Sequence, residues 1–133
     1  MVLNNPYLNL PNALNNSSIV YRLIVEGKSI LFLGDLGYEG GERLLAETPP
    51  YLLRSDIVQV SHHGQSGVGE SVYRAIAPKI ALWSSPEWLW TNCNGSGDYK
   101  TLETRKWMEQ MDCINYVIAY GDISINLNEI KEK

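Results

Sequence analysis

The chain has 133 residues, of which 44% are hydrophobic and 20% charged, and these are the proportions of one ordinary globular domain. Its formal net charge of −4 argues against nucleic-acid binding through a basic surface. The apolar runs are too short to span a bilayer, and the first residues lack the basic and apolar regions of a signal peptide. Because Cys93 and Cys113 have no metal-type spacing and form no disulfide framework, we expect a reduced, cytoplasmic setting.

The order of predicted elements is that of an α/β domain. Residues 1–16 are rich in asparagine and show no periodicity, which predicts an irregular lead-in before a domain at 17–127. A charged tail follows at 128–133, and the region 84–99 has no clear period. The patterns predict, in order, strands 17–25 and 29–33, helix 42–48, strand 57–60, helix 69–77, strand 79–83, helix 100–111 and a closing hairpin of strands 115–119 and 122–127.

Polar residues that can carry chemistry follow two of these strands directly. Asp35 comes after the second strand between Gly34 and Gly37, and the chain's two histidines, His62 and His63, follow the strand at 57–60. Since parallel strands joined by a helix end at the same edge of a sheet, we expect these residues to lie close together. Carboxylate and imidazole groups at such an edge are typical of a metal or ligand site.

Simpler interpretations exist for each residue. Asp35 could form a local turn by bonding nearby backbone amides, and the histidine pair could be an incidental polar loop. A zinc site needs three or four protein ligands, whereas this sequence offers no further histidine and no clustered cysteine. Composition and spacing leave these alternatives open.

Three segments resemble the metallo-β-lactamase superfamily, in the branch of competence-protein and phosphorylcholine-esterase hydrolases. They are Asn-Ser-Ser-Ile-Val at 16–20, Ile-Leu-Phe-Leu-Gly-Asp at 30–35 and Asp-Ile-Val-Gln-Val-Ser-His-His-Gly at 56–64. The family fold is an αββα sandwich of two similar halves, and the resemblance covers the second, C-terminal half. It therefore implies one mixed sheet with helices on one face, and an apolar opposite face that would pack on the missing half.

The resemblance also implies roles for particular residues. Asp35 would be the carboxylate that bridges two metal ions, zinc or manganese, in the full-length protein, and His63 would be a ligand of one of them. His62 would support a metal ligand or contact the substrate and stabilise charge on it. The family's His-x-His-x-Asp-His motif is absent here, so the chain alone is expected to be inactive or nearly so and to hold metal poorly or not at all.

The sequence leaves two main hypotheses for function. One is the C-terminal part of a metal-dependent hydrolase, acting on a phosphoester, whose partner is the N-terminal half of the fold or a second copy of this chain. The other is a non-catalytic interaction module with the same fold. Trp88 and Trp90 could stack on a substrate or simply pack against the sheet, and packing is favoured. A nucleotide-binding domain has little support, because no glycine-rich phosphate loop is present.

Overall fold

A single mixed sheet of five strands organises the protein. The computed structural model describes residues 1–132. The strands are β1 (Tyr21–Val25), β2 (Lys28–Phe32), β3 (Ile57–Gln59), β4 (Ile80–Trp83) and β5 (Ile114–Val117). They lie in the order β1-β2-β3-β4-β5, with β1 antiparallel to β2 and the remaining neighbours parallel. The predicted α/β fold with one mixed sheet is confirmed.

In the described part of the chain, six α-helices connect or flank the strands. They are α1 (Ala13–Asn16), α2 (Tyr38–Glu47), α3 (Pro50–Leu53), α4 (Glu70–Ile76), α5 (Glu87–Trp90) and α6 (Thr101–Gln110). Short 3-10 turns occupy Ser61–Gly64, Ile118–Tyr120 and Leu127–Glu129. Within residues 1–132, no helix combines the length and the apolarity that crossing a bilayer requires.

The helices cover one face of the sheet. Each crossover from β2 to β5 leads to the adjacent strand, and since such connections are right-handed they return on the same side. Leu31, Val58 and Ala81, which are register partners in β2, β3 and β4, point to this face and are fully buried. They pack with helical residues such as Leu44 and Ile76 in the main hydrophobic core.

The opposite face is apolar and largely bare of helices. Ile30, Ile57 and Ile80 form one row across this face, and Phe32 and Leu82 belong to the next row. At one end of the face, Ile125, Leu127 and Ile130 of the C-terminal segment pack on these rows. On the antiparallel strand β1, Tyr21 and Leu23 of the same face are each 47% exposed. The prediction of one helix-covered and one apolar face agrees with this arrangement.

The predicted closing hairpin is wrong. Strand β5 ends at Val117, the chain turns through Ile118–Tyr120, and the segment 122–126 is not a strand. Alternating isoleucines there have the two-residue period of a strand, but they serve a different purpose. Ile125 and the following Leu127 pack onto the second sheet face, so the burial of apolar surface replaces strand pairing.

Helix α2 begins at Tyr38 rather than at the predicted residue 42, because two glycines in its first turns permit close packing. A Cβ atom on Gly40 would lie 2.6 Å from a methyl group of Leu36, and one on Gly41 would lie 2.7 Å from Val68. The same turn receives a cap from the lead-in, since Asn16 Oδ1 accepts hydrogen bonds from the amides of Gly37 and Gly40 at 2.9 and 3.1 Å. Residues before β1 therefore help to fix the loop that follows β2.

Candidate functional site

Asp35 lies in the turn that follows β2. Gly34 has a left-handed backbone (φ 58°), which lets the chain leave the sheet sharply. The Asp35 amide donates to Ser18 Oγ at 3.1 Å. Within the described chain, the Asp35 carboxylate bonds no backbone amide, and its side chain is 45% exposed. The local-turn interpretation of Asp35 therefore has no support from its contacts.

The two histidines form an unusual left-handed turn directly after β3. His62 (φ 50°, ψ 42°) and His63 (φ 55°, ψ 14°) are followed by Gly64 at φ 82°. A left-handed conformation is unfavourable for residues with a side chain, and it persists where surrounding bonds hold it. The His62 amide donates to the carbonyl of Gly34 at 2.9 Å, and Ser85 Oγ donates to the His63 carbonyl at 2.5 Å. These bonds tie the histidine loop to the two neighbouring loops.

His63 and Asp35 meet at the carboxyl edge of the sheet. His63 Nε2 lies 3.4 Å from Asp35 Oδ1, and both side chains are almost half exposed. His63 Nδ1 lies 2.9 Å from the carbonyl oxygen of Ser84. Because a carbonyl oxygen can only accept, Nδ1 carries a proton, and in the neutral imidazole Nε2 then presents its lone pair. This is the orientation that a metal-binding histidine takes when a backbone carbonyl fixes its tautomer.

His62 occupies a different environment. Its ring centroid lies 6.4 Å from that of His63, at an interplanar angle of 55°. Its Nδ1 atom is shielded from solvent and has no hydrogen-bond partner among residues 1–132. The pair therefore places one imidazole beside Asp35 and leaves the other with an unused ring nitrogen.

Gln59 holds the Asp35 turn against β3, a role that was not predicted from the sequence. Its Oε1 accepts from the amides of Leu33 and Gly34 at 3.0 and 2.8 Å. Its Nε2 donates to the carbonyl of Val60 at 2.5 Å. One amide side chain thus satisfies the backbone where β2 and β3 separate. The signal in the sequence was a glutamine inside an otherwise apolar strand.

Tyr73 and Ser61 fix the loops from the core side. The Ser61 amide donates to Tyr73 Oη at 3.1 Å, and Ser61 Oγ donates to the carbonyl of Leu36. Burial raises the pKa of the Tyr73 phenol, which outweighs the lowering effect of the bond from Ser61. Tyr73 therefore remains a neutral hydroxyl on the floor of the site, and Ser61 connects the histidine loop with the segment after Asp35.

The candidate residues Trp88 and Trp90 lie in different environments. Trp90 is half-buried, with its ring edge-on to Trp83 at 5.1 Å and under the Arg105 guanidinium at 3.9 Å. Trp88 is 51% exposed and lies 5.8 Å from the ring of Tyr99. Trp90 is thus engaged in packing, whereas Trp88 and Tyr99 form an exposed aromatic pair. Both lie in the connection between β4 and α6, which also supplies the partners of His63.

The described residues bring together two side chains of metal-ligating type. Asp35 and His63 converge with a free carboxylate and a suitably oriented ring nitrogen. Among residues 1–132, however, no group of three or more histidine, cysteine, aspartate or glutamate side chains is placed to hold a metal ion. Since a zinc site takes three or four protein ligands, these residues alone do not fit a complete centre.

Comparison with known proteins gives one partial similarity. No protein-family model matches the sequence. The chain is 34% identical over 76 residues to the ComE operon protein 3 of Bacillus subtilis (strain 168), a match that covers 56% of the chain and 10% of that protein. The chain thus spans about a tenth of the relative's length. In a chain of 133 residues, a continuous match of this length has to include the histidine loop.

Proposed function

We propose that this chain is the C-terminal half of a metallo-β-lactamase-like hydrolase domain that acts on phosphoesters. Asp35 and His63 would contribute to its metal centre, with zinc or manganese as the ions. The observation that carries the proposal is the meeting of the Asp35 carboxylate with His63 Nε2, 3.4 Å apart at the ends of two parallel strands. The proton on Nδ1 supports it further, because it leaves Nε2 available as a ligand.

The remaining ligands would come from another segment of polypeptide. A complete centre of two metal ions would lower the pKa of a bound water and polarise the scissile bond. Because the described part of the chain supplies two ligands, we expect this chain alone to be inactive or nearly so. In the assembled site, His62 would stabilise charge on the substrate and Trp88 would flank the substrate.

The apolar face of the sheet suggests where that segment docks. Tyr21, Leu23 and Phe32 lie on this face beyond the area that the C-terminal segment covers. Contiguous apolar surface of this kind is typical of an interface. The partner would be the N-terminal half of the same fold, or else a second copy of this chain. We also place the domain in the cytoplasm, where an exposed thiol such as Cys93 stays reduced.

A second candidate function is a non-catalytic interaction module that keeps the sheet without metals. The specific observation in its favour is that the described residues provide no third ligand near Asp35 and His63. In that case the exposed apolar face would be the functional surface, and the Asp35–His63 pair would have no catalytic role.

Metal stoichiometry distinguishes the two. The chain and the full product of its native gene would be dialysed against zinc or manganese, analysed for metal and assayed on a phosphodiester. The hydrolase proposal expects bound metal and activity in the full product, both lost in Asp35→Ala and His63→Ala and both retained in Asp98→Ala, which changes an exposed loop carboxylate. Full product that binds no metal and hydrolyses no phosphoester would contradict the hydrolase and favour the interaction module.

A further inference from the structure

A second concave site lies at the opposite, amino edge of the sheet. Its volume is about 400 Å³, and it opens between the start of β2, the end of α3 and the residues that precede β3 and β4. Three cationic side chains line it, namely Arg22, Arg54 and Lys79. Two carboxylates, Asp56 and Glu132, also reach it. In a chain of net charge −4, this is a local excess of positive charge.

Asp56 and Lys79 offset each other's charge, so the excess in the cleft comes from the two arginines. Asp56 Oδ1 accepts from Lys79 Nζ at 2.7 Å, and Oδ2 accepts from both the amide and the hydroxyl of Ser29 at 2.9 and 3.1 Å. Glu132 is 93% exposed at the rim, 4.0 Å from Lys28. The two arginines are therefore the charges whose interactions are least complete within the cleft.

Arg22 has a donor without an acceptor. Its Nη2 atom donates to the carbonyl of Arg54 at 3.2 Å, which holds the guanidinium across the cleft. Its Nε atom is shielded from water and has no hydrogen-bond partner in residues 1–132. A buried N–H group without an acceptor is unfavourable, so a small movement of this guanidinium that brings Nε to an oxygen in the cleft would be stabilised.

We propose that this cleft binds a phosphate group, either as inorganic phosphate or as the head of a small phosphomonoester. Guanidinium groups recognise phosphate oxygens through paired, charge-assisted hydrogen bonds, and two of them flank one compact cavity here. Lys79 keeps further N–H donors beyond the one that it gives to Asp56. Across the sheet lie Asp35 and His63, so this binding does not depend on the proposed hydrolase.

The test is a titration of ¹⁵N-labelled protein with sodium phosphate, at an ionic strength held constant with sodium chloride. We expect saturable shifts of the backbone amides of Ser29 and Ser55, which line the cleft. Arg22→Gln and Arg54→Gln should each weaken binding about tenfold, the loss of one charge-assisted contact. Glu132→Gln should tighten binding, because it removes the carboxylate at the rim. Phenyl phosphate, titrated in parallel, shows whether the free ion or a monoester is preferred.

Arg43→Gln is the matched control, since Arg43 pairs with Glu47 on helix α2, away from the cleft. Asp35→Ala should also leave the phosphate affinity unchanged. Thermal unfolding of each variant verifies that it is folded. Shifts that stay linear up to tens of millimolar phosphate, or that are as strong in Arg22→Gln and Arg54→Gln as in the wild type, would overturn the proposal.

Discussion

Two pairs of a carboxylate and a basic side chain lie at opposite edges of the same sheet, and they differ in how fully their polar atoms are used. Asp56 and Lys79 are 2.7 Å apart, with side chains that are each 19% exposed. Asp35 and His63 are 3.4 Å apart and almost half exposed. Asp56 also accepts two bonds from Ser29, whereas the Asp35 carboxylate has no second partner in the described chain.

This difference indicates that the Asp56–Lys79 pair stabilises the fold, whereas the Asp35–His63 pair is held at the surface with unused polar atoms. Asp56 precedes β3 and Lys79 precedes β4, so their bond fastens the amino ends of two strands together. The Asp35–His63 pair contributes little to such fastening, since the side chains of Gln59 and Ser61 already connect the loops beneath it through bonds to the backbone. Side chains that are held in place but keep unused hydrogen-bonding or coordinating atoms are available to a ligand.

The largest expected effect on stability comes from removing the Asp56–Lys79 pair. Asp56→Ala should lower the free energy of unfolding by about 2–3 kcal/mol, because it leaves Lys79 and the Ser29 amide without their partner in a partly buried place. Urea denaturation measures this. Glu70→Ala is the matched control, because its pair with Arg74 is exposed on a helix and should cost less than about 0.5 kcal/mol. Equal losses in the two variants would mean that the Asp56 pair is no more structural than a surface pair.

The next largest effect on stability concerns Tyr73, which supports the loop that carries His63. Tyr73→Phe removes the acceptor of the Ser61 amide without changing the shape of the core, and should cost about 1–2 kcal/mol in unfolding free energy. Tyr51→Phe, at an exposed tyrosine, should cost nothing measurable. The amide resonances of His62 and His63 should shift in the first variant alone. A stability unchanged by Tyr73→Phe would show that the hydroxyl is not needed to hold the histidine loop.

Much of the fold could be predicted from the sequence because burial dictates it. The apolar runs at β2, β3 and β4 are short and bounded by polar residues or glycine, and each became a strand. The closing hairpin failed because a two-residue apolar period fits either a paired strand or an extended segment that covers a sheet face. Local pattern cannot distinguish these when the choice depends on which face is left open.

The site could be predicted in its composition but not in its geometry. The position of Asp35 and His63 after neighbouring strands indicated that they would meet, and they do. The left-handed backbone of both histidines could not be predicted from the residue types, since histidine, unlike glycine, adopts that conformation only occasionally. Gln59 and Tyr73 act through single long-range hydrogen bonds, and these appear only once the chain has folded.

Acidic pH should reduce the stability that the Asp56–Lys79 pair contributes. Burial alone would raise the pKa of Asp56, but the hydrogen bonds from Lys79 and Ser29 outweigh it, so the pKa lies below the ordinary value. A carboxyl group with a lowered pKa in the folded state stabilises the protein above its unfolded pKa, and this stability is lost as the pH falls through the folded pKa. The stability difference between wild type and Asp56→Asn should therefore shrink as the pH falls below about 4. Urea titrations across this range measure it, and a difference that stays constant would contradict the assignment.

The smallest expected change in stability is at the Asp35–His63 pair, and it bears most directly on function. Asp35→Ala should alter the free energy of unfolding by less than about 0.5 kcal/mol, because an exposed pair gains little beyond what solvation provides. His63→Ala should cost at most about 1 kcal/mol, because it also loses the bond to the Ser84 carbonyl. The same urea experiments measure this beside Asp56→Ala. A loss of about 2 kcal/mol in either variant would make the pair structural, like its counterpart across the sheet. A loss near zero would mean that the pair does not stabilise the fold. Metal binding would then explain why a carboxylate and an imidazole are held together in a strained loop, and the metal measurement tests this explanation.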